Sequence, residues 1–212
     1  MNIKAERQPT TSTDILNKYA NCMEEIKKRT EVVHGFLRHE LHATYLQTTV
    51  ESICLQIRKI LELIALASLV ANKSEYEKHR KNFQGDWNAK RILKTLDKAN
   101  PKFYPIPSEQ VISPETGKVV EAIPITSGYL SRADYEDLYD ECSEILHASN
   151  PFSSVQQEVQ SFLDNTPEWM QKIRVLLNHH QVQLIDKRVQ LWVLMKAKSD
   201  GKVHVYEFMR ID

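Results

Sequence analysis

Apolar positions recur every three or four residues from Ile15 onward, at Leu16, Tyr19, Met23 and Ile26. That period marks an amphipathic helix with one buried stripe. Ser12, Thr13 and Asp14 offer N-caps, so the helix is predicted to begin there, after a loose arm over residues 1–11. It is expected to continue through Phe36, Leu37, Leu41 and Tyr45, with a break at Gly35. A second helix is predicted from about Thr48 to Asn72, carrying Val50, Ile53, Cys54, Ile57, Ile60, Leu61 and Ile64. Its second half is apolar nearly all round, as in a helix buried at the centre of a bundle. Further helices are predicted over Trp87–Ala99, over Ser131–Ala148, where Ser131 and Asp134 resemble a capping box, and over Val155–Leu163. A last one follows Thr166-Pro167 and runs to about Asn178.

The pattern changes to alternation in two places. The stretch around Pro114-Glu115-Thr116-Gly117 is rich in proline and β-branched residues and predicts two short strands. Near the C-terminus, Val189, Leu191, Val193 and Met195 alternate with Gln190, Trp192, Leu194 and Lys196. After Ser-Asp-Gly-Lys, Val203, Val205, Glu207 and Met209 alternate with His204, Tyr206 and Phe208, which predicts a β-hairpin. Val182 to Ile185 is a candidate third strand. These elements predict an α+β fold, mainly α. A helical bundle surrounds the central apolar helix, and a small C-terminal antiparallel β-sheet, a hairpin, packs on it. Residues 12–212 are expected to form a single domain: a helical part over 12–180, with a β insertion near 110–125, and a hairpin unit over 181–212.

Charge adds local detail. The 28 Lys and Arg balance the 28 Asp and Glu, so any pull toward nucleic acid must come from a patch. Residues 73–102 form one, and Lys78, Arg80, Lys81, Lys90, Arg91, Lys94 and Lys98 are its candidate nucleic-acid-binding residues. Trp87, Phe103 and Tyr104 flank it and are candidates for stacking on bases. The patch could instead dock on the acidic helix that carries Asp134, Glu136, Asp137, Asp140, Glu141 and Glu144. Cys22, Cys54 and Cys142 are widely spaced and form no CxxC pair, which fits reduced thiols in a cytoplasmic protein. The longest apolar run, Ile60 to Ala71, contains Glu62 and falls short of the roughly 20 residues a membrane span needs, so no membrane partner is expected.

Four groups of residues could carry chemistry. Arg58 and Glu62 share one face of the most apolar helix, as an ion pair locking the bundle or as part of a polar cavity. His147 ends the acidic helix, where it can cap carbonyls or face the same cavity. Arg174, His179 and His180 follow one another closely enough for an Arg to hold a phosphodiester while a His moves a proton; otherwise the histidines cap a helix. Glu31/His34 and Glu144/His147, with Glu62 and Glu158, echo di-iron ligand spacing. The cation Arg38 between His34 and His42 argues against a metal, so no metal or other cofactor is expected.

The segment Gln56-Ile-Arg58-Lys-Ile-Leu-Glu62 resembles the second-helix pattern of HEPN-like proteins, the prokaryotic helical bundles common in toxin and phage-defence systems. Ribonuclease members carry an Arg followed four to six residues later by a His. Arg174 to His179 or His180 has that spacing, as does Arg29 to His34, although Val175 and Thr30 stand where a polar residue and the common form are usual. The resemblance implies a protein that binds or cleaves RNA, as a metal-independent endoribonuclease lined by Arg58, Glu62, His147, Arg174, His179 and His180. The alternative expectation is a non-enzymatic interaction module, a homodimer or a binder of a protein partner.

Overall fold

A computed structural model describes residues 11–79, 85, 88–117, 119–148, 152 and 159–209. The chain is α+β. Among the described residues it has six helices, α1 (Thr13–Leu37), α2 (Leu46–Ala71), α3 (Lys73–His79), α4 (Ala89–Ala99), α5 (Arg132–Leu146) and α6 (Val159–Leu177). Five strands, β1 (Ile106–Ile112), β2 (Val119–Pro124), β3 (His179–Gln183), β4 (Val189–Leu194) and β5 (His204–Met209), form one antiparallel sheet in the order β2-β1-β3-β4-β5.

α2 is the organising helix. Eleven of its residues are buried, and α1, α4, α5 and α6 all pack against it. The sheet covers another side of this core. Its inward positions, His180 and Val182 on β3 and Val189, Leu191 and Val193 on β4, are buried, as period-2 alternation requires. α1 touches β5, and α6 touches β1 and β3. A buried amide network joins the layers. Asn100 Nδ2 donates to Asn72 Oδ1 and to the Gln183 carbonyl, each at 2.8 Å, tying the ends of α2 and α4 to β3.

Several boundaries differ from expectation. The first helix ends at Leu37, not Tyr45, because His39 turns left-handed (φ 59°) and the chain reverses. Gly35 is no break. It lies inside the helix and leaves room for Leu41, which folds back over it with its backbone N–H on the Gly35 carbonyl at 3.1 Å. The two helices expected on either side of Pro167 are one. Phe162 and Thr166 before the proline, and Met170 and Ile173 after it, lie on one buried stripe that holds the axis together. The beginning of the expected Val155 helix lies outside the described residues. The β insertion and the C-terminal hairpin are not separate units either. β1 joins β3, so both become part of the five-stranded sheet. No helix among the described residues is long and apolar enough to cross a membrane.

Candidate functional site

The six residues expected to share a catalytic cleft occupy five different places. Arg58 ties α2 to α5, and Glu62 pairs with it within α2. Arg58 donates to Ser143 Oγ at 2.8 Å and to the Tyr139 hydroxyl at 3.2 Å, and its guanidinium lies 4.7 Å from the Tyr139 ring centre. Glu62 accepts from Arg58 at 3.4 Å and from Lys59 at 2.8 Å. His147 is the exposed C-cap residue of α5, four residues beyond Ser143.

His179 and His180 start β3 rather than cap α6, and successive strand residues face opposite ways. His180 points into the core and is fully buried. Its Nδ1–H donates to the Leu177 carbonyl at 2.9 Å, which leaves Nε2 to accept from the Tyr19 hydroxyl at 2.8 Å. Burial lowers its pKa to about 4, against the Leu177 bond, and the neighbouring His179 lowers it a little further. With both nitrogens occupied and no solvent contact, His180 is a structural residue. His179 faces the opposite side of the sheet, where its Nδ1 bonds Ser108. Neither imidazole shares a cavity with Arg174.

Arg174 is exposed in the last turn of α6, where its Nε donates to Gln171 Oε1 at 3.0 Å. It lines a groove of about 470 Å³ between α1, the end of α6 and the β4–β5 connection. The imidazole that lines the same groove is that of His34 of α1. Lys27, Lys28 and Lys196 line the same groove, against the carboxylates of Glu24 and Glu31. Four cationic side chains against two anionic ones give the wall a positive bias. One end of the groove is held shut. Lys27 Nζ donates to the Gly201 carbonyl at 2.8 Å and pairs with Glu24 at 3.0 Å. Glu24 accepts the Val203 N–H at 2.6 Å. Burial alone would raise the Glu24 pKa, but the Val203 N–H and Lys27 outweigh it and the net shift is downward.

In the sequence His34 stands out through the Arg29–His34 spacing, the Glu31/His34 pair and the His34–Arg38–His42 face, none of which joins it to Arg174. Arg29 itself turns away to Glu25 at 2.8 Å and to Gln56 at 3.0 Å. The usable signal was helical phase: Lys27, Glu31 and His34 lie four and seven positions apart on one face of α1. Lys196 carries no such mark, because only the fold brings the β4–β5 connection to α1.

The basic patch is partly neutralised within the chain. Lys90 pairs with Asp140, and Asp97 pairs with Arg132 at 2.6 Å, so α4 and the acidic α5 are cross-linked. Lys78, Arg91, Lys94 and Lys98 are exposed, while Arg80, Lys81 and Trp87 lie outside the described residues. Phe103 is fully buried, and the Tyr104 hydroxyl donates to the Leu130 carbonyl at 3.0 Å, so both pack rather than stand ready to stack. Among the described residues no group of three or more His, Cys, Asp or Glu side chains could hold a metal ion, and Glu158 lies outside them. No protein-family model, curated protein or solved structure matches the chain.

Proposed function

We propose that the groove between α1 and α6 binds the phosphodiester backbone of RNA and cleaves it without a metal, an activity of the HEPN-like toxin or defence kind. One observation carries this reading: Arg174 and His34 line the same cationic groove. The guanidinium of Arg174 offers a planar fork that matches two phosphate oxygens. Lys28 and Lys196 add charge along the strand. Histidine is the side chain suited to moving a proton near neutral pH, so His34 takes the proton of the ribose 2′-hydroxyl as that oxygen attacks the adjacent phosphorus. The bond to the 5′-oxygen breaks, and in this open groove that oxygen takes a proton from solvent. The products are a 2′,3′-cyclic phosphate and a 5′-hydroxyl. The resemblance of the Gln56–Glu62 segment to HEPN-like proteins supports RNA as the polymer.

The test is incubation of the protein with mixed single-stranded RNAs and excess chelator, beside His34→Ala and Arg174→Ala. Cleavage should fall roughly 10²–10⁴-fold in His34→Ala. In Arg174→Ala, binding should weaken and lose part of its salt dependence. Wild-type protein that neither cleaves RNA nor binds it in a salt-dependent way would sink the proposal.

A second reading rests on a different surface. β2 is an edge strand whose Val119, Val120 and Ile123 are 40–65% exposed. Such an edge suits pairing with another chain, in a homodimer or with a protein partner. Light scattering that finds a monomer at every protein concentration excludes the homodimer.

A further inference from the structure

A second cavity, of about 480 Å³, lies on the side of the sheet away from the helices. It arises from how β1 is shared. β1 pairs with β3 only at Ile106↔Gln181 and Pro107↔His180. From Ser108 onward it pairs with β2, with a register irregularity at Val111/Ile112. Val119 and Val120 of β2 thereby come to line the same hollow as Trp192 of β4 and Phe208 of β5. The volume lies within the 300–1,000 Å³ range usual for small-molecule sites.

The polar side chains of this hollow are those of Gln110, His179 and Tyr206, among which His179 stands out. Only 4% of it is exposed, and among the described residues its Nε2 has no hydrogen-bond partner. Nδ1 lies 3.2 Å from the Ser108 carbonyl, which can only accept, and 2.9 Å from Ser108 Oγ, which can donate or accept. In the tautomer that places the proton on Nδ1, both Ser108 oxygens accept from it and Nε2 presents a bare lone pair. Burial, only partly opposed by the Ser108 bond, lowers the pKa and favours this neutral form. Buried acceptors are rarely left unpaired, so the site asks for a donor. The wall beside it is aromatic. The Trp192 ring stands edge-on to His179 at 5.9 Å, and Phe208 lies 4.3 Å from Trp192 with the rings tilted by 32°. Phe208 is 45% and Val120 65% exposed, apolar surface that an occupant would cover. The lining has no Lys, Arg, Asp or Glu among the described residues, in contrast to the α1–α6 groove. An anion would find no counter-charge here.

We propose that this cavity binds a small, uncharged, planar heterocycle that donates an N–H to His179 Nε2 and lays its face against Trp192 and Phe208. Indoles and free nucleobases share this chemistry, and the experiment separates them. The full-length protein is titrated with indole and with uracil, beside N-methylindole and 1,3-dimethyluracil, which keep the rings but lack every N–H donor. Binding is followed by calorimetry and by the ¹⁵N shift of His179 Nε2. At least one parent heterocycle should saturate, move the Nε2 resonance, and bind about tenfold or more tightly than its methylated form. In His179→Phe that preference should vanish, and Val120→Trp, which fills the hollow from an exposed position, should abolish binding. The proposal is overturned if neither heterocycle saturates up to its solubility limit, if methylation makes no difference, or if the face proves to be covered by a second copy of the chain. The wild-type titration decides the matter even if His179→Phe does not fold. It uses no RNA, so its result is independent of the groove proposed above.

Discussion

At the scale of single residues, two adjacent histidines have opposite fates because a strand alternates its faces. Among the described residues His179 keeps one nitrogen unpaired, whereas His180 has both satisfied inside the core. Their pairing with Arg174 looked plausible in the sequence because all three fall within seven positions. Read as a helix end, the histidines would have capped the last turn beside Arg174. Once His179 begins β3 they cannot, and the change from period 3.6 to period 2 occurs where a short buried strand gives little warning. The buried His180 has a thermodynamic consequence. Its pKa is held near 4, below the ordinary 6.5, so the unfolded chain binds the extra proton first as pH falls. The stabilising contribution is complete above about pH 6.5 and is lost progressively down to about pH 4, for a total of roughly 2–4 kcal/mol. The groups bonded to the ring are the Tyr19 hydroxyl and the Leu177 carbonyl, and His179 is its neighbour along the strand. Urea unfolding of the wild type and of His180→Asn at pH 7 and pH 4.5 should show this directly. The variant is less stable at pH 7, but its further loss on acidification is smaller by about that amount. Equal losses would mean that His180 is not the residue that titrates.

At the scale of elements, helices were the legible part. α2 stood out because its apolar positions run nearly all round, and α5 because Ser131 and Asp134 form the capping box its sequence suggests, with Ser131 Oγ accepting the Asp134 N–H at 3.1 Å. Pro167 misled, because proline ends many helices. Here Pro167 removes only one backbone bond, and the continuous buried stripe of α6 outweighs that loss. Arg58 shows how a charge on an apolar helix can belong to packing. It joins α2 to α5 through Ser143, Tyr139 and the face of the Tyr139 ring. Because the Arg58 side chain is 21% exposed, solvent screens part of each interaction. Arg58→Ala should therefore cost about 2 kcal/mol of stability, from the lost charged hydrogen bonds and ring contact. RNA cleavage, assayed well below the melting transition, should stay within about twofold of wild type if Arg58 holds helices rather than substrate. A variant of unchanged stability whose cleavage is lost would return Arg58 to the site.

At the scale of the whole molecule, long-range pairing was the part hidden from sequence. The strands around Pro114 and those near the C-terminus were each visible as local alternation. Nothing local announces that Pro107 will lie beside His180, since register between distant strands is set by packing of the whole core. The same holds for both cavities. Arg174 and His34 line one groove although they lie 140 positions apart in the chain. The sheet assembled in this way should be uneven in stability. β3 is central, buried along four of its five residues, and bonded on both sides. β2 is an edge strand with no buried residue, attached only through β1, which itself meets β3 at two register pairs. Local opening costs least where few apolar contacts break, so the β1–β2 ribbon should detach without unfolding the rest. Native-state hydrogen exchange should find the bonded amides of β2 opening at a free energy well below the global value, and those of β3 only with global unfolding. A heterocycle bound beneath Val119 and Val120 should slow the β2 amides selectively, because the ribbon forms one wall of its cavity. Uniform exchange across β2 and β3 would show instead that the ribbon and the core open as one cooperative unit.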